Sequence, residues 1–531
     1  MALQEAIDAY HGLLTDDLAE ETSAQLTAQL KQRGLFFGER PLCSVLRPRF
    51  LTAQQYRMLQ ERGRVLLGAF AKIHQAALLD DSFRRQFGLL VWEEMLVVEN
   101  PRFVDPSPLS RLDAFFVPER GGLRFTEYNA ETPAGASYND VLAELFLGLP
   151  VMREFVKRYE LRSQPTRHMV MHALLNAYGE WSGTRAAPRI AILDWRDVPT
   201  YSEFVLTQDY FRSHGLDCII GDPHEAEYRD GALFISGQPI DLIYKRVLIN
   251  ELIERGGVDH PVVRAVRENA VCMVNPFRCK ILHKKLSLAV LSDEKNRGLF
   301  TADELDAIDA HIPWTRRVED RRTEYGGKPV ELLEFAEQHR DQLVLKPNDD
   351  YGGRGIVLGW ETSPEQWTTA LEAATREPFI VQERIEIPTE QFPVFAHGHV
   401  QIEDRILDTA PYAFYGGFVD GCLTRLSTES LVNVTAGGGS SVATFIVAPR
   451  WGGGARARAT RGGAARRKSE ERRATSYLGA RARAGETTLI MHRTAHICDA
   501  LTQCGPADAV ARRSSLIAPR SSPASTRRVR P

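Results

Sequence analysis

The stretch that decides the fold is LVLKPNDDYGGRGIVL, residues 343–358. A strand-like apolar run ends in Lys346, and Gly352, Gly353 and Gly355 follow within nine residues. Glycine lets backbone N–H groups come close to phosphate oxygens, and the lysine adds a cation at the end of the strand. The spacing is not that of a P-loop, in which the lysine follows the glycines. Read alone, the segment is either a loop that covers phosphates or a tight turn after an edge strand. A helix is expected near Pro364–Ala374, and after it comes PFIVQERI, residues 378–385. An apolar strand that ends in polar residues is either a hinge offering backbone groups to a base edge or simply a strand leaving a core.

Working outward, two β-like runs, LDAFFV and LRFTEYN, flank the turn PERGG between Arg111 and Tyr128, which reads as a hairpin. Side chains alternate along a strand, so Arg111 and Asp113 share one face and Glu127 and Asn129 share another. Two carboxylates and an amide oxygen form a hard-oxygen set suited to Mg²⁺, which takes few protein ligands and completes its shell with phosphate and water. The alternative is the polar face of a hairpin with an Arg–Asp pair. Near the end of the ordered sequence, Arg425 precedes STESLVNVTAGGG, residues 427–439, a cation beside another glycine run. His214, His283 and His397 are not spaced as a metal cluster.

The rest of the chain organises around these segments. Residues 2–33 read as one or two amphipathic helices, followed by a strand-like run at Pro41–Leu51. Thr52 is an N-cap candidate for a helix carrying Tyr56, Leu59, Val65, Leu66 and Phe70. From about residue 165, RIAILDW, a helix at Tyr201–His214, LDCIIGDP, ALFISG and IDLIYKRV alternate strand and helix as a parallel, Rossmann-like sheet would. No G-x-G-x-x-G follows its first strand, so a dinucleotide site is not expected there. Lys245 and Arg246, at the end of IDLIYKRV, are candidates for holding a substrate carboxylate, or are simply solvated. HKKLSLAVLSDE reads as a helix, and further strands are expected around Leu423 and Thr444. The expected units are 1–160, 165–277, 280–447 and a tail, 448–531.

Composition excludes several classes. The 531 residues are 43% hydrophobic and 25% charged, a soluble profile, with no run long enough for a membrane helix. The first residues show no export signal, and seven scattered cysteines form no C-x-x-C pair, so a cytoplasmic protein without disulfides or zinc is expected. Residues 451–531 hold 17 Lys/Arg against 5 Asp/Glu, which leaves the first 450 residues at −15 within a total of −3. An acidic body does not suggest a nucleic-acid partner. The tail is Arg/Ala/Gly-rich and aperiodic, so disorder is expected. Its composition resembles a GC-rich reading frame translated out of register, with a genuine basic arm as the alternative.

Taken together, the order LVLKP, YGGRG, FIVQE resembles the ATP-grasp superfamily. With LDAFF and EYNAETPAG far upstream and a Rossmann-like unit between, the chain is similar to the circularly permuted ATP-grasp proteins, such as the synthetase domain of glutathionylspermidine synthase. The resemblance spans about residues 35–447. It implies a permuted ATP-grasp fold with an inserted Rossmann-like (pre-ATP-grasp) domain. It implies that Asp113, Glu127 and Asn129 hold Mg²⁺ and that Arg111 approaches the transferred phosphate. Lys346 and Lys285, the latter fitting better than Lys284 because it directly precedes the apolar run, would contact the phosphates of ATP. Gly352, Gly353 and Gly355 would cover them, Gln382, Glu383 and Ile385 would line the adenine pocket, and Arg425 would face the phosphate chain. The implied activity is an ATP-dependent carboxylate–amine ligase acting through an acyl phosphate on small-molecule or peptide substrates. A catalytically silent ATP-binding regulatory or assembly protein is the alternative. The chain lacks the amidase half of glutathionylspermidine synthase, so spermidine and glutathione are not implied. Neither the substrates nor the oligomeric state can be read from the sequence.

Overall fold

The register of one hairpin sets the site. Strands Leu109–Val117 and Gly122–Asn129 pair antiparallel, with Arg111 opposite Asn129, Leu112 opposite Tyr128 and Asp113 opposite Glu127. Beyond Asp113 the register shifts, so that Ala114 faces Phe125 and Phe116 faces Leu123. Thr126 is the extra residue of a β-bulge. A bulge changes which side of the sheet the following residues face. Leu123 and Phe125 point into the core before it and Tyr128 after it, which frees Glu127 and Asn129 for the opposite face. Unbroken alternation would have put Glu127 on the core side with Phe125.

The computed structural model describes residues 3–450 apart from 38–39, 118–121, 351–352 and 429–438. The tail, Gly352 and most of the segment after Ser427, Asn433 included, therefore lie outside the described residues. The hairpin is the end of a seven-stranded antiparallel sheet. From the other edge the order is Thr389–Ala396, His399–Leu407, Phe418–Ser427, Ala410–Phe414 and then the hairpin, with Ser440–Val442 added on Phe418–Ser427. Against its apolar face lies the helix Ala53–Leu79, begun by Thr52 and Gln55 in a reciprocal capping box. Its Leu59, Leu66 and Phe70 share a core with Leu112, Phe116, Phe125 and Tyr128.

A four-stranded sheet carries the glycine-loop strand Leu343–Pro347 and the hinge strand Phe379–Glu383. These pair antiparallel, between Thr315–Arg317 and Val357–Leu358. The helix Pro364–Ala374, capped by Ser363 and started by its proline, buries Trp367 against Leu345 and Val381. A second four-stranded sheet is wholly parallel, in the order Cys272–Val274, Leu242–Lys245, Ile190–Leu193, Cys218–Gly221. No helix among the described residues is long and apolar enough to cross a membrane. Cys43, Cys218, Cys272, Cys279 and Cys422 are buried free thiols.

Four local expectations fail. ALFI, residues 232–235, leaves the parallel sheet and pairs antiparallel with Ala226–Arg229. Asp230 and Gly231 both adopt positive φ (54° and 72°), the two-residue turn that matches strand twist in a tight hairpin. Pro41–Leu51 is a strand only at its ends, Arg40–Pro41 and Arg49–Leu51. Between them the buried Arg47 donates to Gln391 O and pairs with Glu390 instead of building a ladder. HKKLSLAVLSDE is not one helix: Cys279–His283 ends at Lys284, which is extended (ψ 131°), and Leu286–Ser292 starts again. Lys245 and Arg246 are neither solvated nor open to a substrate carboxylate, because carboxylates of the chain itself already occupy them. Lys245 is 1% exposed and paired with Glu131, and Arg246 is paired with Glu203.

Candidate active site

The polar face of the hairpin looks into a cavity of about 180 Å³ whose walls come from three parts of the chain. Asp113, Glu127, Lys346, Gly353, Asp408 and Arg425 line one part. Gln382, Glu383 and Ile385 line another, beside Trp360. A second cavity of about 570 Å³ shares the lining residues Trp360, Glu383, Arg384, Ile385 and Ile387 with the first. Beside the charged residues of the hairpin, Val344, Ile356, Leu358 and Trp360 give the same cavity an apolar slot.

Charge is arranged tightly at the hairpin end. Arg111 grips Asp113 in a fork, Nε to Oδ1 at 2.6 Å and Nη2 to Oδ2 at 2.9 Å, and its Nη1 donates to Ala134 O. Arg425 Nη2 donates to the same Oδ2 at 2.8 Å. Burial alone would raise the Asp113 carboxyl, but Arg111 and Arg425 outweigh it and hold it at about 2. Lys285 Nζ lies 3.3 Å from Glu127 Oε1 and donates to Asp350 O. Burial opposes ionisation of Glu127, yet Lys285 keeps its carboxyl below the ordinary range. Lys284 points the other way, bridging Asp349 and Glu93 at 2.7 Å each. The break at Lys284 therefore sends consecutive lysines to opposite sides, and Lys285 is the one that reaches the hairpin.

Lys346 donates to Gln382 Oε1 at 2.7 Å, and Gln382 Nε2 donates to Thr315. Burial pushes the Lys346 ammonium down to about 8, against the pull of Glu127 and with Lys285 lowering it further. Gly353 lines the cavity at φ 76°, whereas Gly355, at φ 67°, packs on Pro347. Arg111 and Asn129 are not among the lining residues. Arg111 stands behind Asp113, and Asn129 lies opposite Arg111 in the ladder.

Asp113 and Glu127, both ionised and opposite each other in register, fit the few hard-oxygen ligands that Mg²⁺ takes when phosphate oxygens supply the rest. No three His, Cys, Asp or Glu side chains among the described residues form an all-protein metal cage. Two features of the site were not foreseen. Asp408, 2% exposed, accepts the Arg425 backbone N–H at 2.7 Å and its Nε at 2.6 Å. A buried network also anchors the base of the glycine loop. Lys280 reaches Glu131 and Asp349, Lys245 reaches Glu131, and Lys284 reaches Asp349 and Glu93. The cluster sets three lysines against three carboxylates, so it is neutral as a whole.

No protein-family model matches the chain. Its structure is similar to that of a glutathione synthetase-like effector from Globodera pallida in its apo form, at a TM-score of 0.52 and 11% identity over 80% of this chain and 96% of that one. The fold is thus similar to that of this glutathione synthetase-like effector. A protein of Frankia alni provisionally named glutamate–cysteine ligase 2-3 is 27% identical over 213 residues, 38% of this chain. The chain spans about a quarter of that relative's length (23%). An uncharacterized protein of Mycobacterium bovis is 33% identical over 358 residues, 62% of this chain and 59% of its own length.

Proposed function

We propose that the chain is an ATP-dependent ligase that joins a carboxylate to an amine through an acyl phosphate. The observation that carries this reading is the cavity in which Asp113, Glu127, Lys346 and Arg425 meet the hinge Gln382–Ile385 across as many as 312 residues of chain. In this reading the apolar slot and hinge take the base. Lys346, Lys285 and Arg425 neutralise the phosphates, and Gly353 offers its backbone beside them. Asp113 and Glu127 would hold Mg²⁺, which when bound spreads the charge of the transferring phosphoryl group, and Asn129, two residues from Glu127 on its strand, would join them only from outside the cavity lining. Arg111 keeps Asp113 ionised and aimed, so its role is positioning and not contact with phosphate. The chain's contribution to rate is alignment and preset charge, with loop closure excluding water. The hairpin ahead of the loop and hinge matches the permuted order, and residues 165–277 are read as the substrate-side domain.

The test is ADP formation on addition of pooled amino acids and peptides, with [¹⁸O]carboxylate in the acid. A ligase of this kind passes one labelled carboxyl oxygen to the released phosphate. ADP formation that no acid stimulates, or phosphate without label, overturns the proposal.

A further inference from the structure

Asp113 is crowded. Three charge-assisted hydrogen bonds from two guanidinium groups occupy its oxygens. A carboxylate has about four acceptor positions, so a divalent cation placed there would meet two like charges almost in contact. One arginine has to give way. Arg111 is 4% exposed and tied also to Ala134 O, and its departure would strand a buried charge. Arg425 is different. Its side chain is 21% exposed, it lines the cavity, and it has a second carboxylate of its own. Asp408 takes its backbone N–H and its Nε together, and the Arg425 Nη2 touches Asp408 as well as Asp113. Asp408 is itself buried, and Arg425 is the cation that pairs with it.

We propose that Asp408 is a positioning residue: it anchors Arg425 so that the guanidinium can leave Asp113 to a divalent cation and still stay, neutralised, at the phosphate end of the cavity. The inference rests on the nucleotide-site reading. Without the Asp408 charge, Asp113 is the only carboxylate left to Arg425, and the arginine stays there as a competitor of the cation.

The experiment counts bound Mn²⁺ by electron paramagnetic resonance with ADP present, in the full chain and three variants. Asp408→Asn should weaken Mn²⁺ binding on the order of tenfold, the worth of one hydrogen bond to a charged group. Arg425→Met removes the competitor together with a phosphate contact, so it serves as the background against which the second substitution is read. Adding Asp408→Asn to Arg425→Met should then change nothing, because Asp408 acts only through Arg425. The comparison of the double variant with Arg425→Met also stands if Asp408→Asn alone does not fold. A purely structural Asp408 predicts weak binding in the single and the double variant alike, and that result overturns the proposal, as does wild-type affinity in Asp408→Asn. Absence of Mn²⁺·ADP binding to the wild type would instead remove the nucleotide reading itself.

Discussion

Lys346 gives the account a quantitative handle. Its ammonium sits at about 8 in the free site because burial disfavours its charge. Phosphate oxygens placed beside it would favour the charged form and return it to the ordinary lysine range. Binding of ADP must then draw in a proton wherever the free lysine is deprotonated. With a free value of about 8 and a bound value above about 10, uptake is near zero at pH 6.5, about half a proton at pH 8 and about nine-tenths at pH 9. The sign follows from linkage: the bound state holds more protons, so affinity falls as pH rises, by about tenfold between pH 7 and 9. Calorimetry of metal-free ADP in buffers of different ionisation enthalpy reads the uptake directly, and at pH 8–9 the ADP phosphates no longer titrate. Lys346→Met should abolish the uptake and weaken binding, while Lys346→Arg should restore little, because a planar guanidinium does not replace a compact ammonium. No uptake at pH 9, or the same uptake in Lys346→Met, would refute the reasoning.

Three further outcomes are expected. Glu127→Gln should abolish turnover or shift it to much higher Mg²⁺ while metal-free ADP binding persists, and Asn129→Asp should be milder; if both stay within about ±0.5 kcal/mol with turnover intact, the hairpin is an ordinary polar face. Lys280→Met takes away one of the two lysines that hold each of Glu131 and Asp349 and should cost about 3–5 kcal/mol in urea unfolding, whereas Lys157→Met, in an exposed pair with Glu154, should cost under about 1 kcal/mol. For Glu131, burial would raise the carboxyl, but Lys280 and Lys245 hold it at about 2, below its unfolded value. Its contribution is therefore present above about pH 4.5 and lost as pH falls toward 2, and unfolding midpoints measured across that window should show a slope that Glu131→Gln reduces.

What the sequence disclosed was local. The glycine loop and hinge are contiguous strings whose lysine, glycines and apolar run announce their chemistry, and Asp113 and Glu127 stand in a hairpin with a visible turn. Alternation alone, however, would have turned Glu127 into the core; the bulge at Thr126 that turns it outward has no signature of its own. Asp408 sits in LDT at a strand end and looks like any turn residue until Arg425 and Asp113 meet it, the latter from hundreds of residues away. Lys245 misled for the opposite reason. A lysine at a strand end is commonly solvated, and only the return of Glu131 from the hairpin buries this one. At Lys284 an apparently continuous helix breaks, and the buried Glu93 and the part-buried Asp349 both pair with its ammonium.

The most direct measurement is a crystal structure of the protein with a non-hydrolysable ATP analogue and Mg²⁺. The account predicts the base in the slot between Ile385 and Trp360, the phosphates against Lys346, Lys285 and Arg425, and the metal on Asp113 and Glu127 with Arg425 withdrawn toward Asp408. An analogue bound elsewhere, or a metal that leaves both Asp113 and Glu127 uncoordinated, would contradict it.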